Sequence, residues 1–232
     1  MKAYISVAII EDKNVDLVVN SILQTRRMCA LNMDIDSSSA IYIFDTTLLG
    51  ISKKTRRFLN EYFKFGVVLK RIKQAKNQSE NIRKNLAIAY SITNFQSQKP
   101  GLFDVYIHAS QNMIFKNSDL RLLAENARLY NAVSPIIESD EGIEVWSSIL
   151  DRYGIEYHKL GKAASNYITG KVEESFTLNP KCFALSKRYV DQLKVTGVSL
   201  MDPVTYLNDL IFQFSKMKGK IDTSFFVHEN LY

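Results

Sequence analysis

The chain opens with a near-continuous apolar run, Ala3 to Ile10, stopped at once by Glu11-Asp12-Lys13. Eight residues fall far short of the roughly 20 needed to span a bilayer. No small-residue cleavage site comes after it, so the run is not expected to be a signal peptide. It reads instead as a β-strand buried on both faces, the kind found in parallel sheets. The residues after Lys13 fit a strand leading into a helix. Asn14 is a candidate helix cap, and Val15, Val18, Val19, Ile22 and Leu23 recur at helical spacing.

The strand and helix pattern then repeats. Asp34–Ser39 is a polar loop. Ala40–Phe44 predicts a second strand ending at Asp45-Thr46-Thr47. A second helix is expected to bury Ile51, Thr55, Phe58, Leu59, Tyr62 and Phe63 and to stop at Gly66. Val67–Leu69 is a short third strand, Asn81–Thr93 a third helix and Val105–Ile107 a fourth strand. Ser118 is expected to cap a fourth helix reaching Tyr130, ahead of a fifth strand at Ala132–Ile137. Repeated β-α units of this kind predict an α/β fold, a mainly parallel central sheet with helices on both faces. Ligands of such sheets bind beyond the carboxyl ends of the strands. Glu11, Asp45 and the stretch His108–Asn112 lie at those ends.

The remainder is less regular. A helix is expected around Gly142–Tyr153, a strand and turn over Glu174–Leu185 broken at Pro180, and a short helix over Lys187–Val195. A longer helix over Thr205–Lys218 stops at Gly219, before a last strand at Ile221–Val227. The 232 residues, 46% hydrophobic and 23% charged with nine Gly and four Pro, have globular proportions and no room for a long linker. The expectation is therefore one domain over 1–232, with a regular β-α half over 1–137 and a smaller, less regular half over 138–232. Cys29 and Cys182 are too few for a disulfide framework, which points to the cytoplasm.

Charge is concentrated. Between Lys53 and Lys84 there are eleven basic residues opposed only by Glu61 and Glu80, a net +9 in a chain of net +6. Such a surface favours a polyanion: nucleic acid, a nucleotide diphosphate or an acidic membrane. The competing reading is an ordinary solvated face. No dinucleotide-binding glycine fingerprint, P-loop, nucleophile elbow or zincin motif is present. The three histidines, His108, His158 and His228, are too scattered for a local metal motif.

The order of the remaining signals resembles the GT-A fold glycosyltransferases of the large family-2 type. The first strand, Ile5-Ser6-Val7-Ala8-Ile9-Ile10, leads to Ser21-Ile22-Leu23-Gln24 as in that family. Asp45 stands where the family's second strand ends in an Asp that contacts the nucleotide base. Asn77–Ile88 is similar to the family's Asn-x-Gly…Ala-Arg-Asn element, with Ser79 for Gly, Lys84 for Arg and Asn85 retained. The family's acidic DxD-type motif falls on Ser110-Gln111-Asn112. Phe183–Val190, Asn208-Asp209-Leu210, Gly219-Lys220-Ile221 and a strand ending at His228 come next in the family's order. The resemblance covers nearly the whole chain.

It implies transfer of a sugar from a nucleotide sugar to an acceptor hydroxyl. Donor-binding residues would be Ala8, Glu11, Asp45, Lys84, Ser110, Gln111 and Asn112, and the catalytic base Asp209. Mg²⁺ or Mn²⁺ is the implied cofactor, with Asn112 and His228 as ligands, weakened because Ser110 and Asn112 replace carboxylates. The basic window, with Lys53, Lys54, Arg56, Arg57, Lys73 and Lys76, suggests a DNA acceptor, concretely a hydroxymethylated base, in a host cytoplasm if the chain is phage-encoded. The alternative class is a non-catalytic binding protein on the same fold, favoured by the lost carboxylates. A nucleotidyltransferase lacks its expected Gly-rich basic loop, since the first strand runs into Glu11-Asp12-Lys13.

Overall fold

The computed structural model describes residues 1–31, 39–116, 119–151, 154–160, 173–174, 178–198, 200–212 and 220–230. The first half alternates strands and helices: β1 (Ala3–Ile9), α1 (Val15–Leu31), β2 (Ala40–Asp45), α2 (Lys53–Glu61), β3 (Val67–Arg71), α3 (Glu80–Gln96) and β4 (Val105–Ser110). Short 3₁₀ turns at Phe63–Phe65 and Lys73–Ala75 flank β3. Then come β5 (Met113–Ile114), α4 (Asp119–Tyr130), β6 (Ala132–Ser139), β7 (Gly142–Asp151), β8 (Gly154–Leu160) and β9 (Glu173–Glu174). The chain continues with β10 (Cys182–Ser186), α5 (Lys187–Val190), α6 (Pro203–Phe212) and β11 (Lys220–Glu229).

The sheet order is β3-β2-β1-β4-β10-β6-β11-β5. The first four strands are parallel, with Ile5 paired to Ile41 and Ile107 on its two sides. β10 enters antiparallel between β4 and β6, and β11 runs parallel to β6. The expected parallel core is present, and both halves of the chain contribute to one sheet.

Strand alternation divides the interior into two layers. Ile5, Val7 and Ile9 face one side, packing with Ile41, Ile43 and residues of α1, α2 and α4. Tyr4 and Ala8 face the other, packing with Phe44, Tyr106 and residues of α3 and α6. The layer that holds a helix therefore decides which face of the sheet it serves.

Two expectations need correction. The helix anticipated around Gly142–Tyr153 is strand β7, paired antiparallel with β8 from Val145–Leu160 down to Asp151–Gly154. The β-branched residues Ile143, Val145, Ile149 and Ile155, flanked by Gly142 and Gly154, suit a hairpin better than a helix. Phe63 is not part of α2's buried stripe. It lies past the helix end and is exposed, while Ile51 and Leu59 are buried. The anticipated caps Ser118 and Gly219, and the helix segment 213–218, fall outside the described residues.

Candidate functional site

β1 and β4 are neighbours whose chain connections leave in opposite directions across the sheet, β2 and β3 lying beyond β1 and β10 beyond β4. This is a topological switch point, where the loops diverge and open a crevice. A cavity of about 230 Å³ lies there. Ala8 and Ile10 line it from β1 and its exit, and His108 and Ser110 from β4. Lys84 and Ile88 contribute from α3. Pro180 and Lys181 come from the approach to β10, and Asp202, Pro203 and Val204 from the start of α6.

The floor is uncharged. His108 is buried, stacked on Phe183 with ring centroids 4.9 Å apart. Its Nδ1 lies 3.3 Å from both Ser6 Oγ and Tyr106 Oη. Burial pushes its pKa down to about 3, because charging a desolvated ring is costly. His108 is thus a neutral hydrogen-bonding wall.

The walls carry cations held by acids. Lys84 pairs with Glu80 one turn earlier at 2.5 Å, and Lys181 with the buried Glu229 at 2.8 Å. Lys181 is fixed beside Ser110, whose backbone N–H donates to the Lys181 carbonyl at 2.7 Å. Ser79 caps α3 by accepting from the Ile82 N–H, which fixes the first turn, one turn ahead of Lys84. Arg83, the neighbour of Lys84, turns inward. Its guanidinium is buried and donates to the Ile10 and Thr46 carbonyls, tying α3 to the ends of β1 and β2. Lys181, Glu229 and Asp202 were not singled out from sequence. Lys181 and Glu229 are brought together only by the pairing of late strands, whereas Asp202 before Pro203 is a legible cap signal.

Of the residues singled out from sequence, Ala8, Lys84 and Ser110 line the cavity. Glu11 is exposed and paired with Lys13 at 2.9 Å. Asp45 is buried and committed to its own loop: Oδ1 accepts from Thr47 N, Thr47 Oγ1 and Arg71, and Oδ2 from Ile51 N. Gln111 is buried, and its Oε1 accepts from the N–H groups of Ile10 and Glu11 at 2.6 and 2.9 Å, locking β4's exit to β1's. Asn112 Oδ1 accepts from Asn14 Nδ2 at 3.3 Å. Asp209 is exposed on α6, seven residues after Asp202, which places both on one side of the helix. Its neighbour Asn208 is fully buried, bonding both the N–H and the carbonyl of Leu178.

The cations of the basic window are split between layers. Lys53, Lys54, Arg56 and Arg57 are exposed on α2, in the layer opposite the cavity. Lys73 and Lys76 are exposed beside Ala75, which packs in the cavity-side layer.

The implied Mg²⁺ or Mn²⁺ does not fit the described residues. Hard cations take several oxygen ligands, usually with carboxylate charge among them. Here the oxygens of Gln111 and Asn112 are engaged, and among the described residues no group of three or more His, Cys, Asp or Glu is placed to hold an ion. The His228 side chain falls outside what is described; its backbone pairs with Ile114 and Glu138.

No protein-family model matches the chain, and no curated protein matches it by sequence. Solved structures do. GalNAc-T7, crystallised with UDP, GalNAc and Mn²⁺, superposes with a TM-score of 0.64 at 11% identity, covering 99% of this chain and 44% of that one. Residues 1–349 of S. aureus TarS give 0.58 at 9% identity, covering 99% and 60%. The fold is that of the GT-A glycosyltransferases. A197 from STIV superposes with a TM-score of 0.50 at 7% identity, covering 87% of that chain. The GT-A resemblance in the sequence thus has its counterpart in the architecture. The chain covers 44% of the GalNAc-T7 chain and 60% of TarS 1–349, about half of each.

Proposed function

We propose that the chain transfers a sugar from a nucleotide-sugar donor to an acceptor hydroxyl, with the donor diphosphate in the cavity between β1 and β4. The observation that carries this reading is a cavity at the switch point of a GT-A sheet, with Lys84 and Lys181 in its wall. In the transfer, the acceptor oxygen bonds to the anomeric carbon as the bond to the diphosphate breaks. The electron pair leaves with the nucleoside diphosphate. The lysine ammonium groups meet the charge that grows on the leaving group. A carboxylate takes the acceptor's proton. Asp209 is assigned that role, and Asp202, whose oxygens already accept from Val204 N, Thr205 N and Thr205 Oγ1, that of a cap.

Calorimetric titration with a nucleoside diphosphate, and donor hydrolysis without acceptor, test the reading. Lys84→Met should weaken nucleoside-diphosphate binding roughly tenfold, the worth of one charge-assisted hydrogen bond. Asp209→Asn should lower turnover about a hundredfold with donor binding unchanged. Full turnover in that variant would remove Asp209 from the mechanism. Tight donor binding with no hydrolysis and no transfer would favour the non-catalytic alternative, which gains support from the missing carboxylate pair on Ser110-Gln111-Asn112.

A hydroxymethylated DNA base remains the concrete acceptor to test first, resting on Lys73 and Lys76, the cations in the cavity-side layer. Removing both should lower the salt slope of duplex binding by about two.

A further inference from the structure

Four closely spaced cations, Lys53, Lys54, Arg56 and Arg57, fill the outer face of α2, while Leu59 is buried beneath and Phe58 and Tyr62 pack against the core. Apolar side chains project at both ends of this helix. Leu49 is 96% exposed ahead of it and Phe63 67% exposed behind it, with Leu48 and Phe65 about half exposed beside them.

Both projections are built, not loose. The Leu48–Leu49 loop is held by Asp45 from beneath and by Arg71, which donates to the Asp45 carboxylate, Thr47 Oγ1 and the Leu48 carbonyl. Gly50, at φ 94°, makes the turn that returns the chain to Ile51. Behind the helix, the buried guanidinium of Arg26 donates to the carbonyls of Ser39 and Phe65, at 2.6 and 2.7 Å. Lys64 lies over the Phe65 ring, 5.2 Å from its centroid. Three acids lie beside these cations without cancelling them: Glu61 ends α2, the Asp12 carboxylate accepts from Ser52 N and Thr55 Oγ1 at the helix start, and Asp16 lines the groove next to Lys54.

We propose that this face docks the protein on an anionic lipid surface. Phosphate oxygens alone would account for the cations, and a nucleic-acid backbone supplies those too. They would not account for leucine and phenylalanine held outward at both ends of the cationic helix. A lipid interface answers both features: the headgroups take the charge, and the acyl boundary takes the apolar side chains. The cavity belongs to the other layer of the fold, so docking through α2 leaves it uncovered.

Co-sedimentation with phosphatidylcholine vesicles, with and without phosphatidylserine, tests the proposal on the full chain. Binding is expected only with phosphatidylserine and should weaken as salt rises. The quadruple variant K53Q/K54Q/R56Q/R57Q should lose roughly a hundredfold in affinity. Leu48→Ser with Leu49→Ser should lose about tenfold while keeping the salt dependence. All six positions are exposed or half exposed, and an unchanged melting temperature confirms that both variants fold. Absence of vesicle binding overturns the proposal. So does vesicle binding that survives both variants, and so does duplex DNA bound through the same four cations in a protein that ignores vesicles.

Discussion

Asp45 is the residue whose setting departs most from what its position suggested. At the end of β2 a carboxylate invites a ligand, yet every hydrogen bond described for it goes to its own loop and to Arg71. Asp45→Ala would strand a half-buried guanidinium and two backbone N–H groups, and should cost about 3 kcal/mol in urea unfolding. His108 gives a pH signature. Its folded pKa is lowered to about 3 from 6.5, so between those values the unfolded chain binds the extra proton. Stability contributed by the neutral ring is present above 6.5 and is lost as pH falls through that window. The slope owed to it should approach about 1.4 kcal/mol per pH unit. His108→Gln should flatten unfolding free energy between pH 4.5 and 6.5, and an unchanged slope would place the titration elsewhere.

At the scale of elements, α6 sets the acid side of the cavity. Asp202 precedes Pro203 and caps the helix through two backbone N–H groups. Asp202→Ala should cost about 1 kcal/mol, whereas Asp202→Asn should keep stability, since asparagine caps as well. Comparing their melting with the turnover of Asp209→Asn separates a structural acid from a chemical one. β1 to β4 were legible because continuous apolar runs and helical stripes carry a period. Inward-facing Asn208 beside outward-facing Asp209 was not, because only the helix phase decides which of two adjacent polar residues is buried. The β7–β8 hairpin was missed for a related reason: Trp146 and Leu150 interrupt its two-residue alternation and resemble a helical stripe. Lys181 and Glu229 sit 48 residues apart, and no local pattern joins them.

The whole molecule is organised by a sheet that the chain completes out of order. β10 lies between β4 and β6, and β11 between β6 and β5. A fragment covering 1–137 would leave β4 and β6 with no strand between them. It should lack a cooperative unfolding transition by circular dichroism; a sharp transition would mean that the first half is an independent domain.

That insertion also has a consequence for synthesis. While the chain is emerging from the ribosome, β4 and β6 are complete long before Cys182–Ser186 arrives to separate them. At translation rates of about 5–20 residues per second the gap lasts seconds. For that interval two apolar strands present open edges to each other and to neighbouring nascent chains, the condition under which strands mispair. Slowing elongation after residue 139 should therefore lower the soluble yield, and a chaperone that shields strand edges should restore it.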